Sequence, residues 1–316
     1  MKNPLRKRIP RELKSEIGKY LVIFLLMLGT IGVVSGFLVA DGSMIKAYNE
    51  SFEKYNIEDG NFRTGEKVYR GQREAMEEQG IKIYENYYIE EVLTNGSTLR
   101  FFKNRDEVDK VCIMEGRLPK TTGEIAIDRM YADNNSLKIG DTLSSGDKTW
   151  KIAGLIALSD YSALFQNNND SMFDAVKFGV SVVTPEEFDS LDQEKLQYNY
   201  SWIYDKKPKD EKEEKEVSED LMKEMGKVVT LENFVPRYQN QAIIFTGDDM
   251  GGDKAMMVML LYIVIAIMAF VFGITTGNTI TKEAGVIGTL RASGYTGNEL
   301  IRHYMTLPVL VTLAGA

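Results

Sequence analysis

Three stretches of this chain carry no formal charge, and the spacing of apolar residues changes character between them. Tyr20 to Ala40 is 21 residues without a charge, Ala255 to Thr281 is 27, and Tyr304 to Ala316 is 13. A helix rises about 1.5 Å per residue, so roughly 20 apolar residues cross a hydrocarbon core. The first two runs are long enough and the third is too short. The pattern predicts two spanning helices and the start of a third that is cut inside the helix. The first run exceeds the roughly 7–15 residues of a signal-peptide core, and no small-x-small cleavage site precedes Asp41, so it reads as an uncleaved helix.

Between the first two runs the apolar period shortens from helical to alternating. Met44, Ala47, Tyr48 and Phe52 carry the first helix on past Asp41, and Asn61–Thr64 then starts extended structure. Gln72–Gln79 reads as a short helix closed by Gly80. Ile81–Leu93 alternates and predicts one long strand, turned at Asn95-Gly96 into Thr98–Phe102. Further strands are expected at Val111–Met114, Glu124–Ile127, Trp150–Leu158 and Phe178–Val183, with a helix over Pro185–Leu191. The charge run within Tyr204–Glu224 predicts a solvated surface helix carrying a Glu211–Lys215 pair. Asn240–Lys254 reads as a flexible returning connection. Its GDDMGGDK stretch has neither P-loop nor EF-hand spacing. The expected fold class is a membrane protein, with transmembrane α-helices and an inserted α+β extracytoplasmic domain.

Charge gives this plan a direction. Residues 1–19 are net +5, residues 282–303 net +1 and residues 41–254 net −14. Short basic flanks stay in the cytoplasm, which places the N-terminus inside and an acidic domain outside. The expected divisions are a cytoplasmic amphipathic segment over 1–19, a first span over 20–40 and the extracytoplasmic domain over 41–254. A second span over 255–281, a cytoplasmic element over 282–303 and the truncated third span over 304–316 complete them. In the first segment Ile9, Leu13 and Ile17 form an apolar stripe behind Pro10, with the basic residues directed at lipid phosphates. A disordered basic tail is the alternative.

Small residues recur inside the spans as Gly32-x-x-x-Gly36 and Gly273-x-x-x-Gly277. In lipid such faces let helices approach closely; they either pack against each other or face a partner. Candidate chemistry is sparse. The lone Cys112 excludes an intrachain disulfide and reads as a core residue, and the lone His303 excludes a histidine-rich metal site. No catalytic, cofactor-binding or metal-binding set emerges, and an acidic chain does not point to nucleic acid.

The most informative stretch is KEAGVIGTLRASGYTGNELIRHYM, Lys282–Met305. Helical spacing runs on from the second span through Ala292, with Val286, Ile287 and Leu290 on one side. Ser293-Gly294 breaks it, and Thr296 with Glu299 forms a capping box that opens a second helix. Two helical arms continuous with two spans are suited to transmit force.

These residues resemble the signature of the FtsX-like permeases of ABC transporters, typically Glu-Ile-Gly-x-Leu-Arg-Ala-Leu-Gly-Ala. Glu283, Gly285, Ile287, Leu290, Arg291, Ala292 and Gly294 occupy matching positions, while Ala284 and Ser293 depart from the commonest residues. A second likeness lies in GRLPKTTGEIAID (116–128), LKIGDTL (137–143) and TWKIAGLIAL (149–158), which are similar to the MacB-type extracytoplasmic core domain. The resemblance implies a non-catalytic subunit in a bacterial cytoplasmic membrane. Its implied partners are a separate ATPase, membrane lipid, and a second permease copy or a second half of the same chain. It further implies that the ATPase docks on Glu283–Glu299 and that its motion is relayed to the outer domain for export or extraction, that is, mechanotransmission. An FtsX-type regulator of a cell-wall hydrolase is the main rival. A membrane sensor is a weaker one, because the chain re-enters the membrane after about 22 residues.

Overall fold

A computed structural model describes residues 4–315; Lys2 of the basic tail and Ala316 at the end of the third run lie outside them. The chain forms two compact units, one from Met1–Met44 with Met250–Ala316 and the other from Ile45–Asp249.

Helix α1, Ile9–Ser15, has Pro10 near its start, where the missing N–H costs nothing. It ends at Glu16, whose backbone leaves the helical region (φ −118°, ψ 25°). Helix α2 then runs unbroken over Ile17–Lys54, as the continuing period beyond Asp41 predicts. Leu13 and Ile17 are exposed, and from the predicted stripe it is Ile9 that packs on an apolar cluster of the same unit.

The second unit holds two sheets. After α2 come β1 (Gly60–Thr64), α3 (Arg70–Glu77) and β2 (Ile81–Glu85). Strands β3 (Tyr88–Val92), β4 (Thr98–Lys103), β5 (Val111–Gly116) and β6 (Glu124–Asp128) follow. Next are α4 (Arg129–Asn134), β7 (Thr142–Ser145), β8 (Lys148–Leu158), β9 (Phe178–Val183) and α5 (Pro185–Ser190). Strand β10 (Tyr198–Tyr204), α6 (Glu211–Met225) and β11 (Leu231–Pro236) complete the unit. The smaller sheet has the order β11-β1-β10-β2, and the larger runs β3-β4-β9-β6-β8-β5 with β7 paired to β8. The larger sheet is thus inserted between β2 and β10 of the smaller one. Two aromatic-rich cores result, one around Phe101 and Trp150 and one around Phe62, Tyr200 and Trp202.

Three readings of the sequence are corrected here. Ile81–Leu93 is not one strand: β2 and β3 belong to different sheets, and the chain crosses at Asn86-Tyr87. The buried Asn86 pairs its N–H with the Asn199 carbonyl and lends its side chain to a polar cluster, so alternation continues through a crossover. Nor is Asn240–Lys254 a flexible connection, because a single helix α7 spans Gln241–Lys282. Asn240 Oδ1 accepts the Ala242 N–H at 3.1 Å, Ser162 Oγ lies 2.9 Å from the Ala242 carbonyl oxygen and 2.8 Å from that of Ile243 with one hydrogen to give, and the helix grows from that docked turn through its glycines. Finally, Cys112 is half-buried in the edge strand β5, with the Tyr55 hydroxyl 3.1 Å from its sulfur.

The predicted surface helix is α6. It begins at Glu211, since Tyr204 ends β10, and it buries Ser218, Leu221 and Met225 along one face. Helices α2 and α7 are long and apolar enough to cross a membrane. The chain ends with α8 (Ala284–Ala292) and α9 (Gly297–Gly315).

Candidate functional site

Helix α7 does not run straight into α8. Glu283 adopts φ −99°, ψ 12°, although its N–H still reaches the Thr279 carbonyl and its own carbonyl takes the Ile287 N–H. The predicted continuous helix is therefore kinked at one residue, where the carboxylate is held from two sides. Arg8 Nη2 donates to Glu283 Oε2 at 3.0 Å, and the Tyr304 hydroxyl donates to the same oxygen at 2.5 Å.

These contacts belong to a wider strap. Arg8 Nε lies 3.2 Å from Glu12 Oε1, and that oxygen lies 3.2 Å from Nε2 of the buried His303. Lys19 pairs with Glu16 at 2.8 Å and donates to Thr279 Oγ1 at 3.1 Å. Arg8 and Lys19 are thus paired within the protein, whereas Arg11 and Lys14 stay exposed. The strap joins residues up to 291 positions apart, so local spacing gives no sign of it. Its available signals were the Arg8–Glu12 spacing and the single histidine.

The turn between α8 and α9 is built as the sequence predicts. Gly294 has φ +95°, the left-handed conformation that glycine enters without strain. The Tyr295 N–H reaches the Leu290 carbonyl at 3.1 Å and the Gly294 N–H reaches that of Arg291 at 3.1 Å, the paired bonds of a Schellman ending. Glu299 Oε2 accepts from the Thr296 N–H at 2.8 Å, and the Glu299 N–H lies 3.3 Å from Thr296 Oγ1. These bonds to Thr296 lower the Glu299 carboxyl below its ordinary range. The bend is capped on both arms and therefore has a defined direction.

Of the sequence-predicted residues, Ile287 and Leu290 are half-buried, while Gly285, Arg291, Ala292, Gly294, Thr296 and Glu299 are exposed and α8 has no buried residue. Gly285, Gly288, Thr289 and Ala292 follow helical spacing along one exposed face, and the space over both glycines is open for 4 Å. That face is a flat, small-residue surface beside the positive Arg291.

The four span glycines behave alike. Nothing lies within 4 Å of where a side chain would begin at Gly32, Gly36, Gly273 or Gly277, so these faces do not pack against one another. The unit is held by Tyr20, Ile23, Met27, Met268, Leu307 and Val311, and by Gly315 approaching Met27 and Phe24. Gly273 and Gly277 open into an apolar groove of about 680 Å³ between α7 and α9, floored by Phe272 and Pro308.

No protein-family model matches the sequence, and no curated protein matches it. Among solved structures, the chain is similar to the extracellular domain of the noncanonic ABC-type transporter YknZ from Gram-positive bacteria. The likeness has 12% identity and a TM-score of 0.32, covering 55% of this chain and 98% of that one. The periplasmic region of MacB from Actinobacillus actinomycetemcomitans aligns at 9% identity and a TM-score of 0.29, over 53% of this chain and 83% of that one. Likenesses at these scores carry neither a family assignment nor a function.

Proposed function

We propose that this chain is the non-catalytic membrane subunit of an ABC transporter of the FtsX-like permease type. The observation that carries the reading is the doubly capped bend over Glu283–Glu299. Its signature residues Gly285, Arg291 and Ala292 are left exposed, while Glu283 is anchored by Arg8 and Tyr304. An element that is rigid at its base and open on its face can receive a push and pass it on.

In this reading α2 and α7 span the membrane, the basic N-terminal segment and the 282–303 element lie in the cytoplasm, and the acidic α+β domain lies outside. A separate ATPase subunit docks on α8 and hydrolyses the nucleotide. The open faces at Gly32, Gly36, Gly273 and Gly277 accept helices of a second copy, or of a second half of a longer chain. The work done outside is export or extraction of a substrate by mechanotransmission.

Co-purification with the ATPase tests the docking step. The Leu290→Asp, Arg291→Glu double variant is expected to lose most of the associated ATPase while keeping the chain in the membrane. Undiminished association would contradict the assignment.

A further inference from the structure

Where the two sheets of the α+β unit meet, four charged side chains are buried around one hydroxyl. Glu58, Asp109, Asp160, Arg105 and Ser201 are all at least nine-tenths buried. Arg105 is committed to Asp160, with Nη1 2.8 Å from Oδ2 and Nη2 2.7 Å from Oδ1. One guanidinium therefore faces three carboxyl groups, and Glu58 and Asp109 are left to share Ser201.

The hydrogen count at Ser201 decides their state. Its Oγ lies 2.5 Å from Glu58 Oε2, 2.9 Å from Asp109 Oδ2 and 3.0 Å from Asn86 Nδ2. The Asn86 orientation is fixed, because its Oδ1 sits 3.1 Å from Arg105 Nη1 and a guanidinium only donates. Asn86 therefore donates to Ser201. A hydroxyl has a single hydrogen, so it cannot donate to two carboxylates at once. The second carboxyl has to supply a proton of its own.

The surroundings place that proton. Asp109 Oδ1 already accepts the Glu58 N–H at 2.8 Å, and Asp109 Oδ2 lies 3.9 Å from Arg105. Glu58 Oε1 accepts from Asn61 at 2.6 Å and from Asn240 at 3.2 Å, while its Oε2 meets Ser201. The consistent arrangement has Glu58 Oε2 donating to Ser201 and Ser201 donating to Asp109.

We propose that Glu58 and Asp109 share one proton and act as a proton-operated lock between the two sheets, closed when the proton is bound. Glu58 follows α2 and Ser201 lies on β10 of the smaller sheet. Asp109, Arg105 and Asp160 come from connections of the larger sheet, and Asn240 caps α7. Losing the proton sets two buried anions against each other and loosens the seam at the point where both long helices leave the domain. A polar cleft of about 460 Å³, lined by Glu58, Asn61, Asn86, Asp160 and Asn240, gives water a route to the site. Burial and the neighbouring Asp160 push Glu58 up to about 7, and burial with Glu58 and Asp160 raises Asp109 as well. The folded state thus holds a proton that the unfolded chain releases from about pH 4.5. Stability falls as pH rises from there to about 7, then levels off. The lock does not depend on any ATPase, and its test contains none.

The full chain in nanodiscs is melted at a series of pH values while tryptophan emission is followed. Both tryptophans, Trp150 and Trp202, lie in the cores of this unit, so the signal reports on it alone. The wild-type melting temperature is expected to fall by roughly 5–10 °C between pH 5 and pH 8. Glu58→Gln, whose amide donates as the protonated acid does, removes most of that fall, and Asp109→Asn does the same. Retention of the wild-type slope by both variants overturns the proposal. Should neither variant fold, Ser201→Ala is read instead. Withdrawing the shared hydroxyl is expected to move the midpoint of the pH dependence, and an unmoved midpoint overturns the proposal.

Discussion

Gly154 sits in β8 where no side chain fits. A Cβ there would lie 2.3 Å from the Arg117 carbonyl oxygen, and one on Gly116 (φ +73°) would lie 2.6 Å from that of Ala153. Strands β5 and β8 thus meet backbone to backbone, which is the physical content of the glycines in the 116–128 and 149–158 motifs. Arg117 serves the same corner: its Nη1 lies 2.8 Å from Glu124 Oε2, and with the Lys120 N–H it holds Glu124 down to about 2. Gly154→Ala is expected to lower the stability of the α+β unit by about 1–3 kcal/mol through forced strand separation, measured as a lower denaturation midpoint at pH 6. An unchanged midpoint would show that the corner has room to relax. At this scale the turn glycines and caps were legible, because each acts on its immediate neighbours. Glu58 was not, since its partners at 109, 201 and 240 are gathered only by the fold.

At the scale of elements, the sequence spoke most clearly where one local rule acts alone. The Asn95-Gly96 hairpin and the Thr296–Glu299 box are present because turn and cap chemistry is short-range. Alternation over Ile81–Leu93 misled because both flanks are strands and the crossover between them keeps the same rhythm. Glycines in Gly247–Lys254 misled for the opposite reason: local propensity disfavours a helix there, and docking of the first turn overrides it. The bend at Gly294 belongs to this scale too. Alanine at φ +95° is strained by roughly 1–2 kcal/mol, and the arms are expected to relax into other angles. Spin labels at the exposed positions Val286 and Ile301, in a Cys112→Ser background, read this as a distance. Gly294→Ala should shift or broaden the distribution, and an unaltered one would show that the bend does not depend on the glycine.

Across the whole molecule, the apolar runs and the charge balance exposed the order of elements but not the contacts that anchor the 282–305 element. The strap of Arg8, Glu12, Glu283, His303 and Tyr304 ties the first turns of the chain to α8 and α9. It gives the basic N-terminal segment a packing role that its composition did not reveal. What remains open to a partner is the exposed surface of α8, Val286 included, and the central question is what covers it. A photo-crosslinking residue placed at Val286, 41% exposed, addresses this in living cells, with Met172, 67% exposed in the α+β unit, as the control. A light-dependent adduct is expected between the Val286 position and a nucleotide-binding subunit, and none from the Met172 position. No such adduct at Val286, or the same adduct from both positions, would contradict the proposed docking on α8.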